Sequence, residues 1–258
     1  MVTGLELFAA HFAEDQSQYV LIGGVATYLQ LEKAELTARA TKDLDIVLCV
    51  EALNPEFGRK MWSFIESGQY EVRQYESTNR RFYRFQKPAT GGYPSMLEFF
   101  SREPGNIPLI ENSHLTPVPF GEDVSSLSAI LLHDDYYDFI HAQTTELSGV
   151  RVVSELCLIP LKARAWLDLS ERAQAGEAID SKDIRKHLTD VLRLAQLLDG
   201  EAIAAMPDSI RDDVRRFIEK AAPSWVAVDL VGLGIKSQTN DGLKDLVRRT
   251  FGIDETTA

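Results

Sequence analysis

Two cysteines in 258 residues are too few for a disulfide framework. Each lies inside an apolar run, Cys49 in "DIVLCV" and Cys157 in "SELCLIP", which marks buried thiols and a reducing compartment. Long apolar runs are missing too. No window nears the roughly eighteen consecutive apolar residues of a membrane helix, and the amphipathic N-terminus lacks the basic and apolar regions of a secretory leader. A cytoplasmic protein with no membrane partner is the expectation. Positive charge is in short supply: Lys plus Arg number 27 against 39 Asp plus Glu, a net charge of −12. Such a surface repels phosphate backbones and anionic lipid as a whole, so any nucleic-acid contact requires a local basic patch. His114, His133, His141 and His187 show no metal-ligand spacing, and "LLHDDYYDF" lacks the partners of a zinc site. Its acids at 134, 135 and 138 read as a solvated turn. Neither Ser nor Cys occupies a nucleophile-elbow pattern, which argues against a hydrolase.

What is present is an ordinary globular composition, 45% apolar and 26% charged. The length suits one sizeable core or a catalytic domain with a helical appendage. Leu5, Phe8, Ala9 and Phe12 recur at helical spacing. In "YVLIGGVATYLQ", Tyr19 to Ile22 reads as a short strand, Gly23-Gly24 as a turn and Val25 to Leu31 as an apolar helix. The continuous run Ile46 to Val50 suits a strand buried on both faces. Pro55 opens a helix through Phe64 and Ile65 that Gly68 ends. "YEVRQYES" and "RRFYRFQK" alternate as a strand pair, and "SMLEFFS" is a further strand. The segment from Arg102 to Asp123 holds four of the ten prolines and reads as a loop-like seam. After it, "SAILLHDDYYDFIHAQTTELSGVRVVS" suggests two or three short strands turning at Ser148-Gly149, and four helices follow over about 155–172, 180–199, 208–221 and 241–251. The expected division is 1–123 and 124–258, the second part ending in a helical region.

The chemistry concentrates in "RATKDLDIVL". Side chains alternate along a strand, so Asp43 and Asp45 share one side while Leu44 takes the other. Two adjacent carboxylates repel unless a cation sits between them. Hard oxygen donors suit Mg²⁺ (or Mn²⁺), typically completed by substrate phosphates. Upstream, strand, Gly-Gly and helix offer backbone N–H groups at a helix N-terminus, where a phosphate binds well. Together the two features describe a site for a metal-bound nucleoside triphosphate. Taken singly, an Asp-x-Asp at a strand end and a Gly-Gly turn are also common structural devices.

"IGGVATYLQ" followed about twenty residues later by "RATKDLDIVL" resembles the signature of the polymerase-beta-type nucleotidyltransferase superfamily. The Arg39, Thr41, Asp43, Asp45 version resembles its abortive-infection AbiEii/AbiGii toxin branch. The resemblance spans about residues 18 to 200 and implies an α+β fold, a mixed sheet flanked by helices with a C-terminal helical region. It implies a third acid on a neighbouring strand, for which Glu98 is the candidate. It also implies a Lys on one helix and a Lys/Arg-Asp pair opening another, positions that Lys162 and Asp183 fit. Two departures stand out. The Arg usually found about seven residues after the Lys is absent, Leu169 standing there with Arg172 nearby, and Lys186 replaces a second acid, with Asp190 one turn further on. A plain solvated lysine and an ordinary helix cap are the bland alternatives for Lys162 and Asp183.

The implied activity is transfer of an NMP from an NTP to a hydroxyl. Asp43, Asp45 and Glu98 would serve catalysis and metal, Lys162 and Asp183 catalysis, and Gly23, Gly24, Arg39, Thr41 and Lys162 the nucleotide. The branch further implies a toxin of a toxin–antitoxin pair, with an antitoxin protein as partner and RNA or tRNA among the acceptors. "RRFYRFQK" interleaves Arg80, Arg81, Arg84 and Lys87 with Phe82, Tyr83 and Phe85, a mix that single-stranded RNA favours and that an amphipathic hairpin also displays. A protein or small-molecule acceptor stays open. So do a catalytically silent nucleotide- or partner-binding protein of the same fold, and a phosphotransferase.

Overall fold

The computed structural model of the chain describes residues 2–49, 52, 54–72, 83–100, 134–201 and 203–253. The fold is α+β: a mixed sheet with helices around it, as the resemblance implies. The chain divides into two compact units, residues 1–28 with 40–153, and residues 29–39 with 154–258. The expected boundary at 123, within the Arg102 to Asp123 seam, lies outside the described residues. Residues 134–153 belong to the first unit because their last strand joins its sheet.

The first unit holds the sheet. Its strands are β1 (Tyr19–Ile22), β2 (Asp43–Leu48), β3 (Glu71–Val72), β4 (Tyr83–Gln86), β5 (Met96–Phe100), β6 (Thr144–Leu147) and β7 (Val150–Val153), in the order β3-β4-β5-β2-β1-β7-β6. β2 is central, antiparallel to β1 and parallel to β5. Its Leu44, Ile46, Val47 and Leu48 are buried, which is why it reads as a continuous apolar run. Helices α1 (Leu5–His11) and α3 (Pro55–Gly68) contribute Phe8, Phe57 and Phe64 to an aromatic cluster with Phe12 and Tyr19. α3 opens as expected: Pro55 occupies the first turn, and the Asn54 side chain accepts from Phe57 N–H at 2.9 Å. Both cysteines are buried and not disulfide-bonded.

One expected strand is a helix. Asp134–Ala142 forms α4, with Asp134 and Asp135 in its first turn and Tyr136, Tyr137, Phe139 and Ile140 buried. The acids complement the positive end of the helix, and the apolar groups fall three and four residues apart, so "DDYYD" is a helix start rather than a turn between strands. β6 and β7 then form the expected hairpin, closed by Ser148 and Gly149 with φ of 52° and 74°. Two positive φ values define the tight turn that matches strand twist.

The second unit is helical: α5 (Glu155–Gln174), α6 (Ser181–Ala195), α7 (Asp208–Val226) and α8 (Asn240–Thr250). These match the four expected helices to within a few residues at their ends. Trp166, Phe217 and Trp225 pack ring on ring in its core. No helix of the described residues is long and apolar enough to cross a membrane.

Candidate functional site

β1 passes straight into α2 (Gly23–Lys33), so the Gly-Gly pair is the first turn of the helix itself. Gly23 adopts φ of +64°, and a Cβ there would stand 1.8 Å from Asp45 Oδ2. Glycine is therefore required twice over, by the backbone angle and by the carboxylate pressed against it. The antiparallel register explains the contact, since Asp45 lies opposite Ile22, the residue before Gly23. The helix N-terminus and the acidic strand thus meet at one point, as the two motifs together suggested.

The parallel pairing of β2 and β5 sets Asp45 opposite Glu98 and Asp43 opposite Met96. Residues opposite each other in a sheet face the same way, so Asp43, Asp45 and Glu98 line one face. The register continues one strand further, where β4 sets Arg84 opposite Glu98. Arg84 Nε donates to Glu98 Oε1 at 2.5 Å, a charge-assisted bond to a side chain that is only 10% exposed. Glu98 is thus engaged by a guanidinium. Among the described residues no group of three or more His, Cys, Asp or Glu side chains is arranged to hold a metal ion. The pair Asp43 and Asp45 still fits Mg²⁺ in its chemistry, because that ion needs only one or two carboxylates when substrate phosphates and waters complete it.

Of the expected acceptor strand, Arg80, Arg81 and Phe82 lie outside the described residues. Phe85 is buried against Trp62 and Phe99, so it belongs to the core rather than to a stacking surface. Arg84, on the opposite side of the strand, is the member that reaches the acidic face.

The second unit holds the remaining candidates. Lys162, on α5, is buried, and its Nζ donates to Asp190 Oδ2 at 3.0 Å. Asp190 is 1% exposed and also faces Arg39 at 3.7 Å and Arg193 at 3.5 Å. Burial alone would raise the Asp190 carboxyl, but Lys162 and Arg39 outweigh it and hold it below the ordinary 3.8. Burial first, then Lys162 and Lys186, keep the His187 imidazole well below its ordinary 6.5, and hence neutral. Three cations, Arg39, Lys162 and Arg193, surround one carboxylate, an excess of two positive charges. Nδ1 of His187 and Nε of Arg193 are buried without a hydrogen-bond partner among the described residues.

Asp183 stands elsewhere. It is exposed in the first turn of α6 and pairs with Lys186 at 2.9 Å. The acid brought to Lys162 is Asp190, two turns along the same stripe, where α6 is buried. An acid set among Leu188, Val191 and Leu192 is the sequence signal that points to Asp190. Thr41 is half-buried in the segment leading into β2.

His114 and His133 lie outside the described residues. His141 sits 3.6 Å from Cys49. No protein-family model and no curated protein matches the chain.

Proposed function

We propose that the chain is a nucleotidyltransferase that moves an NMP from a metal-bound NTP to a hydroxyl acceptor. One observation carries the reading: the Asp45 carboxylate lies against Gly23 at the start of α2, so an anion-binding helix end and a cation-binding acid pair share one location. Asp43 and Asp45 would hold Mg²⁺ or Mn²⁺. When bound, that ion supplies charge neutralisation to the entering and leaving oxygens of an in-line displacement at the α-phosphorus. The N–H groups of the first turn of α2, Gly23 and Gly24 among them, orient the triphosphate. Glu98, beside Asp45 in the sheet, is suited to accept the acceptor hydroxyl's proton once its carboxylate is available. The resemblance further assigns Arg39 and Lys162 to the nucleotide, as cations toward its phosphates.

The resemblance to the AbiEii/AbiGii branch extends the proposal to a toxin of a toxin–antitoxin pair, with an antitoxin protein as partner and RNA or tRNA as the acceptor. A second reading, a catalytically silent nucleotide-binding protein of the same fold, is favoured by the engagement of Glu98 by Arg84.

Product analysis separates the readings. Purified protein incubated with Mg²⁺, each of the four NTPs and total cellular RNA is expected to release pyrophosphate. Release of NDP would instead indicate a phosphotransferase, and neither product together with Mg-NTP binding would indicate the silent reading.

A further inference from the structure

Arg84, Glu98 and Asp45 stand in one row across β4, β5 and β2, with Asp43 two residues along the same face. Glu98 is nearly buried and its charge needs a partner; Arg84 supplies one while keeping its side chain 34% exposed. That combination differs from a fixed internal ion pair. A guanidinium on a long, partly solvated stem can withdraw to water at little desolvation cost, whereas the carboxylate cannot follow it. A divalent ion held by Asp43 and Asp45 would meet this guanidinium beside Glu98, and two cations at one carboxylate repel each other whichever oxygen each uses.

We infer that Arg84 is a built-in counter-cation that competes with the divalent metal for Glu98, so that metal binding and release of Arg84 are linked. The inference rests on the proposed metal site and adds its regulation. In the metal-free protein the guanidinium satisfies the nearly buried Glu98 carboxylate. Metal binding displaces it, so that Glu98 turns to the ion and the partly exposed Arg84 guanidinium to solvent. By linkage, an anion that draws Arg84 away tightens metal binding by the same factor.

The test is a Mn²⁺ titration followed by electron paramagnetic resonance, with no turnover required. Arg84→Gln is expected to bind Mn²⁺ about tenfold more tightly than the wild type, the size of one charge-assisted hydrogen bond no longer to be broken. Arg84→Lys, which keeps the charge, should stay near the wild type, and the gain should vanish on a Glu98→Gln background. A merely structural pair predicts the opposite sign, because loosening β4 against β5 would weaken the site. Equal or weaker binding by Arg84→Gln overturns the inference, as does an equal gain in Arg84→Lys.

The wild type provides a check that no variant's folding can disturb: the Arg84 Nε–H resonance should move on titration with Mg²⁺, and an unmoved resonance at saturating metal counts against the proposal. An Asp43→Asn/Asp45→Asn protein that binds Mn²⁺ like the wild type would sink the metal site itself. Binding that needs those acids yet ignores Arg84 would sink only the counter-cation.

Discussion

Gly23 is the residue at which the start of α2 meets the acidic strand. Its positive φ strains any other residue, and a Cβ there would displace the Asp45 carboxylate. Gly23→Ala is therefore expected to lose about 1–3 kcal/mol of stability from backbone strain, with further loss from displacing Asp45. Thermal melting should show the first effect, and Mn²⁺ affinity the second. A variant that melts and binds like the wild type would mean that helix start and acid are independent features. The sequence announced this glycine through "IGG" and announced Asp45 through the alternation of "DLDIVL". That they touch follows only from the antiparallel register of β1 on β2, which no local pattern specifies.

Arg84 was legible as a base in a basic and aromatic strand. Its engagement with Glu98 was not, because the pairing depends on how β4 aligns with β5.

At the scale of elements, α5 and α6 are joined by a buried charge. Lys162→Ala should cost on the order of 3–5 kcal/mol, since it leaves the Asp190 carboxylate buried without its closest cation. Joint replacement, Lys162→Met with Asp190→Leu, should recover most of that loss, which chemical denaturation of the two variants would reveal. Failure of the joint variant to recover would assign the loss to packing.

The same joint sets a pH dependence. The folded His187 pKa lies below the ordinary 6.5, so in the window between them the unfolded chain binds a proton that the folded chain refuses. Stability contributed by His187 is thus fully present above about 6.5 and falls as pH drops toward the folded value. Asp190, also depressed, adds its own loss below 3.8. Melting temperature against pH should decline below about pH 6.5, and His187→Gln should flatten that first decline.

Helix periodicity made α5 to α8 readable to within a few residues. It failed for α4, where a helix of nine residues crowded with Tyr and Phe imitates a strand. The resemblance points to Asp183 at the opening of α6, but a position at a helix start says nothing of burial. Asp190, embedded among apolar neighbours, was the acid whose pattern signalled a buried partner.

For the whole molecule, composition and length were enough to indicate an ordered globular protein, and the α+β class followed from strands preceding a run of helices. The division into units was less legible, because the chain leaves the first unit within α2 and re-enters it just before β2. Contiguous sequence segments do not reveal such an excursion.

Whether the acid pair beside Gly23 serves nucleotidyl transfer is tested by following the α-phosphate. Purified protein, Mg²⁺, each α-labelled NTP in turn and total cellular RNA should be incubated beside the Asp43→Asn/Asp45→Asn protein. Nucleotidyl transfer at this site predicts label covalently attached to an acceptor with the wild type and none with the double variant. Absence of labelled RNA, protein or small-molecule product with the wild type, or equal labelling by both proteins, would contradict it.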